Sequence, residues 1–223
     1  MKITHPFPEF LAYLSTPPGI LVVSANKCAS RYLDQLLFEK HQYKKLKISD
    51  DSNNDILHNE KIYKKIFIYR DPIDRFIAWY NMFVYEQFKD KVEYGIAYNE
   101  LYTVAYKHLS FRKDMIENIL FLLRQYTIDE LQNLLQFDTH TTPLITYFEY
   151  TGFSPDEYHI LDMYDLSHFT QDKLGGVAAA LPMKKVVITP ESIDMLQEID
   201  YIISKIYECD YKILRTRVKS YDG

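Results

Sequence analysis

Two basic residues carry the chemistry this sequence suggests. Lys27 sits in a small polar stretch, Ser24 to Ser30. That stretch follows the apolar run Ile20 to Val23 and precedes an amphipathic segment with Leu33, Leu36 and Leu37 at helical spacing. Arg70 holds the same kind of position: it follows Lys65-Ile66-Phe67-Ile68-Tyr69 and leads into Asp71-Pro72-Ile73-Asp74-Arg75. Strand, tight loop and helix in succession aim unpaired backbone N–H groups and a helix dipole at one point, which favours an anion there. Lysine adds a movable full charge, and arginine a rigid fork suited to phosphate. The loop lacks the Gly-x-x-x-x-Gly-Lys-[Ser/Thr] pattern of the nucleoside-triphosphate loop, so ordinary kinase chemistry loses its main support.

The elements that position these residues follow from the pattern of apolar side chains. Residues 3–16 are predicted as a short helix with Phe7, Phe10, Leu11 and Leu14 on one face, ended by Pro17-Pro18-Gly19. Strands are expected at Ile20–Val23, Tyr43–Ile48, Lys65–Tyr69 and Tyr158–Met163, with a helix from Ser30 to His41. Asp71 is an N-cap residue and Pro72 suits the first helical position, ahead of Phe76, Ile77, Tyr80, Phe83 and Val84. Two βα junctions in order imply a parallel, P-loop-like sheet with ligand groups at the strand ends.

Beyond it, residues 95–136 read as a helical insertion, with a capping box formed by Thr127 and Glu130. Phe137–Gly152 reads as a long irregular stretch, and a short helix is expected near Leu166–Leu174. A last long helix begins at Thr189-Pro190-Glu191 and turns Leu196, Ile199, Ile203 and Ile206 inward. The tail, 215–223, is polar and expected to be partly disordered. The fold class is thus α/β, in a single domain spanning 1–223.

Composition narrows the partners. The chain has 223 residues, 47% of them hydrophobic and 26% charged, as in a globular domain. A formal net charge of −5 argues against broad nucleic-acid binding while leaving room for a local basic pocket. Cys28 and Cys209 lie far apart, and neither they nor the histidines show metal-ligand spacing, so no metal is expected. No signal peptide or spanning segment is apparent, and the expected location is cytoplasmic.

Lys27-Cys28-Ala29-Ser30-Arg31 resembles the 5′-phosphosulfate loop of the sulfotransferases that use 3′-phosphoadenosine 5′-phosphosulfate (PAPS). Arg70-Asp71-Pro72-Ile73-Asp74-Arg75-Phe76 is similar to that family's 3′-phosphate motif. With its Cys after the Lys, the loop looks most like the carbohydrate sulfotransferase branch. Two weaker echoes agree: Asp138-Thr139-His140-Thr141-Thr142-Pro143 and Ile206-Tyr207-Glu208-Cys209-Asp210-Tyr211. The resemblance implies sulfuryl transfer from PAPS to a hydroxyl of a small-molecule or glycan acceptor. Lys27 would stabilise charge on the departing phosphate. The N–H groups of Cys28, Ala29, Ser30 and Arg31 and the Ser30 hydroxyl would hold the 5′-phosphate, and Arg70 the 3′-phosphate.

One position departs from the family. Ala78 stands where a serine usually also contacts the 3′-phosphate, which removes a hydrogen bond worth about 2 kcal/mol. Arg75 and Asn81 are candidates to compensate. The general base is expected among His58, His140, Asp50 and Asp51, with His58 first and His140 second on intrinsic pKa. The alternatives are a nucleotide or small-molecule kinase with a degenerate loop, and a non-catalytic nucleotide- or glycan-binding relative.

Overall fold

The computed structural model describes residues 10–16, 19–48, 55–58, 61–81, 115–135, 140–166 and 192–219. In chain order the main elements are β1 (Phe10–Leu14), β2 (Ile20–Ala25), α1 (Ser30–Leu33, continuing in π-helical geometry over Asp34–Lys40), β3 (Lys44–Lys47) and β4 (Lys64–Tyr69). They continue as α2 (Pro72–Tyr80), α3 (Met115–Leu123), α4 (Ile128–Leu135), α5 (Thr146–Thr151), β5 (His159–Asp162), α6 (Ile193–Ile206) and β6 (Val218–Lys219). The chain divides into two compact units. A sheet unit comprises Phe7–Arg70, Leu144–Met183 and Cys209–Gly223, and a helical unit comprises Met1–Pro6, Asp71–Pro143 and Lys184–Glu208.

The sheet unit is an α/β structure with a mixed, six-stranded sheet in the order β3-β1-β2-β4-β5-β6. β2, β4, β5 and β6 run parallel, in registers such as Val23↔Phe67 and Ile68↔Leu161. Near-continuous apolar runs form β2 and β4, as strands covered on both faces require. Leu21, Val23, Ile66, Phe67 and Ile68 are fully buried. From α1 and its π-helical continuation, Leu33, Leu36 and Leu37 join the same core. Tyr147 and Phe148 of α5 pack their rings on Phe67 and Tyr158.

Three expectations are corrected here. The helix over 3–16 gives way to β1 across its described part, Phe10–Leu14, which pairs antiparallel with β2 and with β3. Phe10, Leu11 and Leu14 satisfy a helical stripe, but Ala12 and Tyr13 between them are buried too. That continuous apolar run suits a strand covered on both faces. The sheet is consequently mixed rather than wholly parallel, and β3 is an edge strand. In the tail, Arg215–Arg217 form a 3₁₀ turn, and Val218–Lys219 pair with Ile160 and Leu161. The stretch read as irregular contains α5. Its N-terminus is capped from afar, because Leu144 N–H donates to Asp210 Oδ2 and Ile145 N–H to Asp210 Oδ1, each at 2.8 Å. Gly152, at φ 73°, closes its other end in the left-handed region that glycine tolerates.

In the helical unit, α6 packs against α2, α3 and α4. α2 starts as expected: Asp71 has a non-helical ψ of 130°, its carboxylate accepts from Ile73 N–H at 3.1 Å, and Pro72 occupies the first turn. It buries Arg75, Phe76, Trp79 and Tyr80. The capping box at α4 is present, with Thr127 N–H and hydroxyl both donating to Glu130 Oε2 at 2.8 Å. Those bonds hold the Glu130 carboxyl below its ordinary range. α6 buries Ile199, Ile203 and Ile206 as expected, while Leu196 is only half-buried. Asp50, Asp51, Phe83, Val84, Asp138, residues 95–114, 167–191 and 220–223 lie outside the described residues.

Candidate functional site

The Lys27 loop is short because the chain turns immediately at the end of β2. Cys28 N–H donates back to the Ala25 carbonyl at 3.1 Å, closing a tight turn. Lys27 and Ala29 both take left-handed φ angles, 66° and 63°, with Cys28 between them outside that region. For non-glycine residues such angles are intrinsically unfavourable by about 1–2 kcal/mol each. Alternation of this kind curls successive N–H groups around a concavity that favours an anion. Ala29 then serves as the N-cap residue of α1, with no side-chain cap. Leu33 N–H bonds its carbonyl at 3.0 Å.

Two interactions hold the loop in this shape. Arg70, just past the end of β4, donates from Nη1 to the Lys27 carbonyl at 2.8 Å. Ser24, fully buried in β2, donates toward the Cys28 carbonyl, with the Ala25 carbonyl 3.2 Å away. Neighbouring parallel strands thus bring together Lys27, Cys28, Ala29, Ser30, Arg31 and Arg70 at their C-terminal ends. In an α/β sheet, ligand groups gather at these ends. Arg70 Nε is buried and has no hydrogen-bond partner among the described residues. A guanidinium left with an unsatisfied donor fits an acceptor oxygen supplied from outside the chain.

Beneath the loop, α1 is tied to the sheet. Tyr13 hydroxyl donates to Asp34 Oδ1 at 2.9 Å and approaches the Ser30 carbonyl at 3.2 Å, and Lys45 pairs with Asp34 at 2.7 Å. Burial first, then the bond to Asp34 and its charge, push the Tyr13 phenol far above its usual range, so it stays a donor.

The remaining expected site residues are His58, His140 and Ala78. His58 Nε2–H donates to the Thr151 carbonyl at 2.8 Å, and its ring stacks on Phe153 at 4.3 Å. Lys65 Nζ lies 4.0 Å over the same Phe153 ring, at the beginning of β4. Five residues of extended chain separate Lys65 from Arg70, about 16 Å at the rise of a strand. His58 therefore sits at the N-terminal ends of the parallel strands and is not brought to the loop. His140 and Ala78 belong to the helical unit. Ala78 is half-buried on α2. His140 opens the turn in which Thr141 and Thr142 are buried.

Arg75 is bonded within the helical unit. Only 3% exposed, it donates from Nη1 to the Thr142 carbonyl. Tyr207 hydroxyl donates to the neighbouring Thr141 carbonyl at 2.6 Å. Two features went unread in the sequence. Ser24 was signalled as the one polar residue in an apolar strand, while nothing local to Asp210 marks it as a cap for a helix more than sixty residues earlier. Among the described residues no group of three or more His, Cys, Asp or Glu side chains is gathered as a metal set, and no helix is long and apolar enough to cross a membrane. No family model matches the chain, and no curated protein or solved structure matches it either.

Proposed function

We propose that the chain is a sulfotransferase that moves the sulfuryl group of PAPS to a hydroxyl, with a carbohydrate as the acceptor class. In this reading β2, β4 and their loops form a P-loop-like core. The observation that carries it is the Arg70–Lys27 clamp: the two motifs that resemble the family meet through one hydrogen bond, with Arg70 Nε still unsatisfied. PAPS supplies the activated sulfonate on a phosphate leaving group. The residues present fit that anion. The loop curvature at Lys27 and Ala29 favours negative charge, the Lys27 ammonium stabilises charge growing on the departing phosphate, and Arg70 binds a phosphate oxygen. Ser30 offers a hydroxyl next to the Ala29, Ser30 and Arg31 N–H groups. Cys28 N–H has a smaller part, because it already donates to Ala25.

The test has two arms. Calorimetry compares PAP, the desulfated product, with ADP. Tight, magnesium-independent binding of PAP supports the reading, while preference for ADP with magnesium replaces it with a kinase. Transfer of labelled sulfate from PAPS to a glycan panel then measures activity. Lys27→Ala is expected to lower transfer by about 10²–10³-fold, the effect of removing one transition-state donor. Unchanged transfer in that variant refutes the role of Lys27.

A second reading is a non-catalytic anion-binding relative. Ala78 in the serine position favours it, since an alanine side chain offers the 3′-phosphate no hydrogen bond. PAP binding without transfer to any acceptor would select it.

A further inference from the structure

Ser24 is the sole polar side chain among the six residues of β2, and it is fully buried. A hydroxyl inside a sheet is unfavourable unless it is bonded. Its one proton has two acceptors in reach, the Cys28 carbonyl and, more distantly, the Ala25 carbonyl. The bond to Cys28 spans the loop, from the strand that enters it to the residue between its two left-handed positions. A trans peptide group points its carbonyl and the following N–H in opposite directions. Fixing the Cys28 carbonyl inward on Ser24 therefore turns the Ala29 N–H outward. Arg70 does the corresponding work one peptide earlier, holding the Lys27 carbonyl.

We infer that Ser24 is a positioning residue of the anion loop: it locks the Cys28–Ala29 peptide so that its N–H faces a phosphate oxygen and its carbonyl dipole faces away. This rests on the phosphate-binding reading of the loop given above. Ser24 itself touches no ligand. Without its hydroxyl, Lys27 and Ala29 lose part of what holds them at angles that L-residues avoid. The Cys28–Ala29 peptide can then flip, presenting a carbonyl to the anion in place of a donor.

The experiment titrates PAP by calorimetry into the wild type, Ser24→Ala and Ser24→Thr, with each thermal midpoint recorded and PAPS kinetics measured alongside. Ser24→Ala is expected to weaken PAP about tenfold, the effect of one hydrogen bond to a charged group. The KM for PAPS should rise in parallel while the KM for the acceptor holds. Ser24→Thr, which restores a hydroxyl, should recover affinity to within about twofold of the wild type. A purely structural role would lower the thermal midpoint and leave PAP affinity alone, and that result overturns the inference. Should Ser24→Ala fail to fold, Ser24→Cys takes its place, with similar volume and a weaker donor. A smaller loss of the same sign supports the inference, and unchanged affinity refutes it. A wild type that binds no PAP removes the phosphate reading of the loop, and the role of Ser24 with it.

Discussion

Arg70 and Arg75 stand five residues apart in one motif, yet they hold the backbone of different units. Arg70 makes one bond to the backbone of the Lys27 loop and keeps a buried Nε without a partner among the described residues. Arg75 is buried to 3% exposure and turned onto the Thr142 carbonyl. Buried polar groups normally find partners, and in the proposed reading the open donor of Arg70, beside the strained loop, meets a phosphate oxygen. Each guanidinium donates to a backbone carbonyl of its own unit, and what separates them is the neighbourhood: a loop with two left-handed residues for Arg70, a buried turn for Arg75. The same contrast separates the first motif from the two later echoes. Tyr207 and Asp210 bond to the backbone at Thr141, Leu144 and Ile145, and so serve internal structure.

The largest effect expected from this contrast is at Asp210. Asp210→Ala leaves two buried N–H groups without their carboxylate, and urea unfolding should show a loss of about 3–5 kcal/mol. A loss below about 1 kcal/mol would mean that water or another acceptor caps α5 equally well. Next comes the arginine pair. Arg75→Met should lower stability by about 1–3 kcal/mol, by orphaning the Thr142 carbonyl, and leave PAP affinity unchanged. Arg70→Met should weaken PAP by about tenfold to a hundredfold and lower stability by less than Arg75→Met, because the Lys27 carbonyl it releases is only part-buried. Equal stability losses in the two variants, with PAP binding intact in both, would erase the distinction.

The smallest effect concerns Glu157, at the N-terminal end of the sheet. Hydrogen bonds from Lys65 and from Ser154 N–H hold its carboxyl below the ordinary glutamate range. Its folded pKa therefore lies below its unfolded one. The stabilisation is full above the unfolded value and is lost as pH falls through the folded value. With the side chain 44% exposed, solvent screening limits the contribution to less than about 1 kcal/mol. Urea midpoints of wild type and Glu157→Gln should differ at about pH 7 and converge toward about pH 3. A gap that persists in acid would show that the pair contributes through packing.

Elements whose signals are local were legible in the sequence. Ile20–Val23 and Lys65–Tyr69 are β-branched and apolar, Asp71-Pro72 is a self-contained cap, and Thr127 with Glu130 closes its own box. Elements defined by distant partners were not. Phe10–Leu14 satisfies either periodicity and is decided by its neighbours β2 and β3. Thr146–Thr151 is rich in aromatic and β-branched residues, poor helix formers, and is held by Asp210. Val218–Lys219 is too short and polar to announce a strand until β5 stands beside it. At the candidate site, residue types and strand-end placement were readable. The left-handed angles at Lys27 and Ala29, the Arg70–Lys27 bond and the distance of His58 from the loop belong to tertiary structure.

The interleaving of the two units has a consequence for synthesis. The sheet unit draws on Phe7–Arg70, then Leu144–Met183, then Cys209–Gly223. A ribosome therefore delivers β2 and β4 long before β5 can pair with β4, and Asp210 later still. A nascent chain halted near Ile193 would carry a complete Lys27 loop sequence on a sheet without β6 and on an α5 without its cap. Contacts of such long sequence separation slow folding and lengthen the exposure of unpaired strand edges. Through that interval the lysines of β3, exposed along the opposite edge of the sheet, would guard β1 and its neighbours against pairing with other chains.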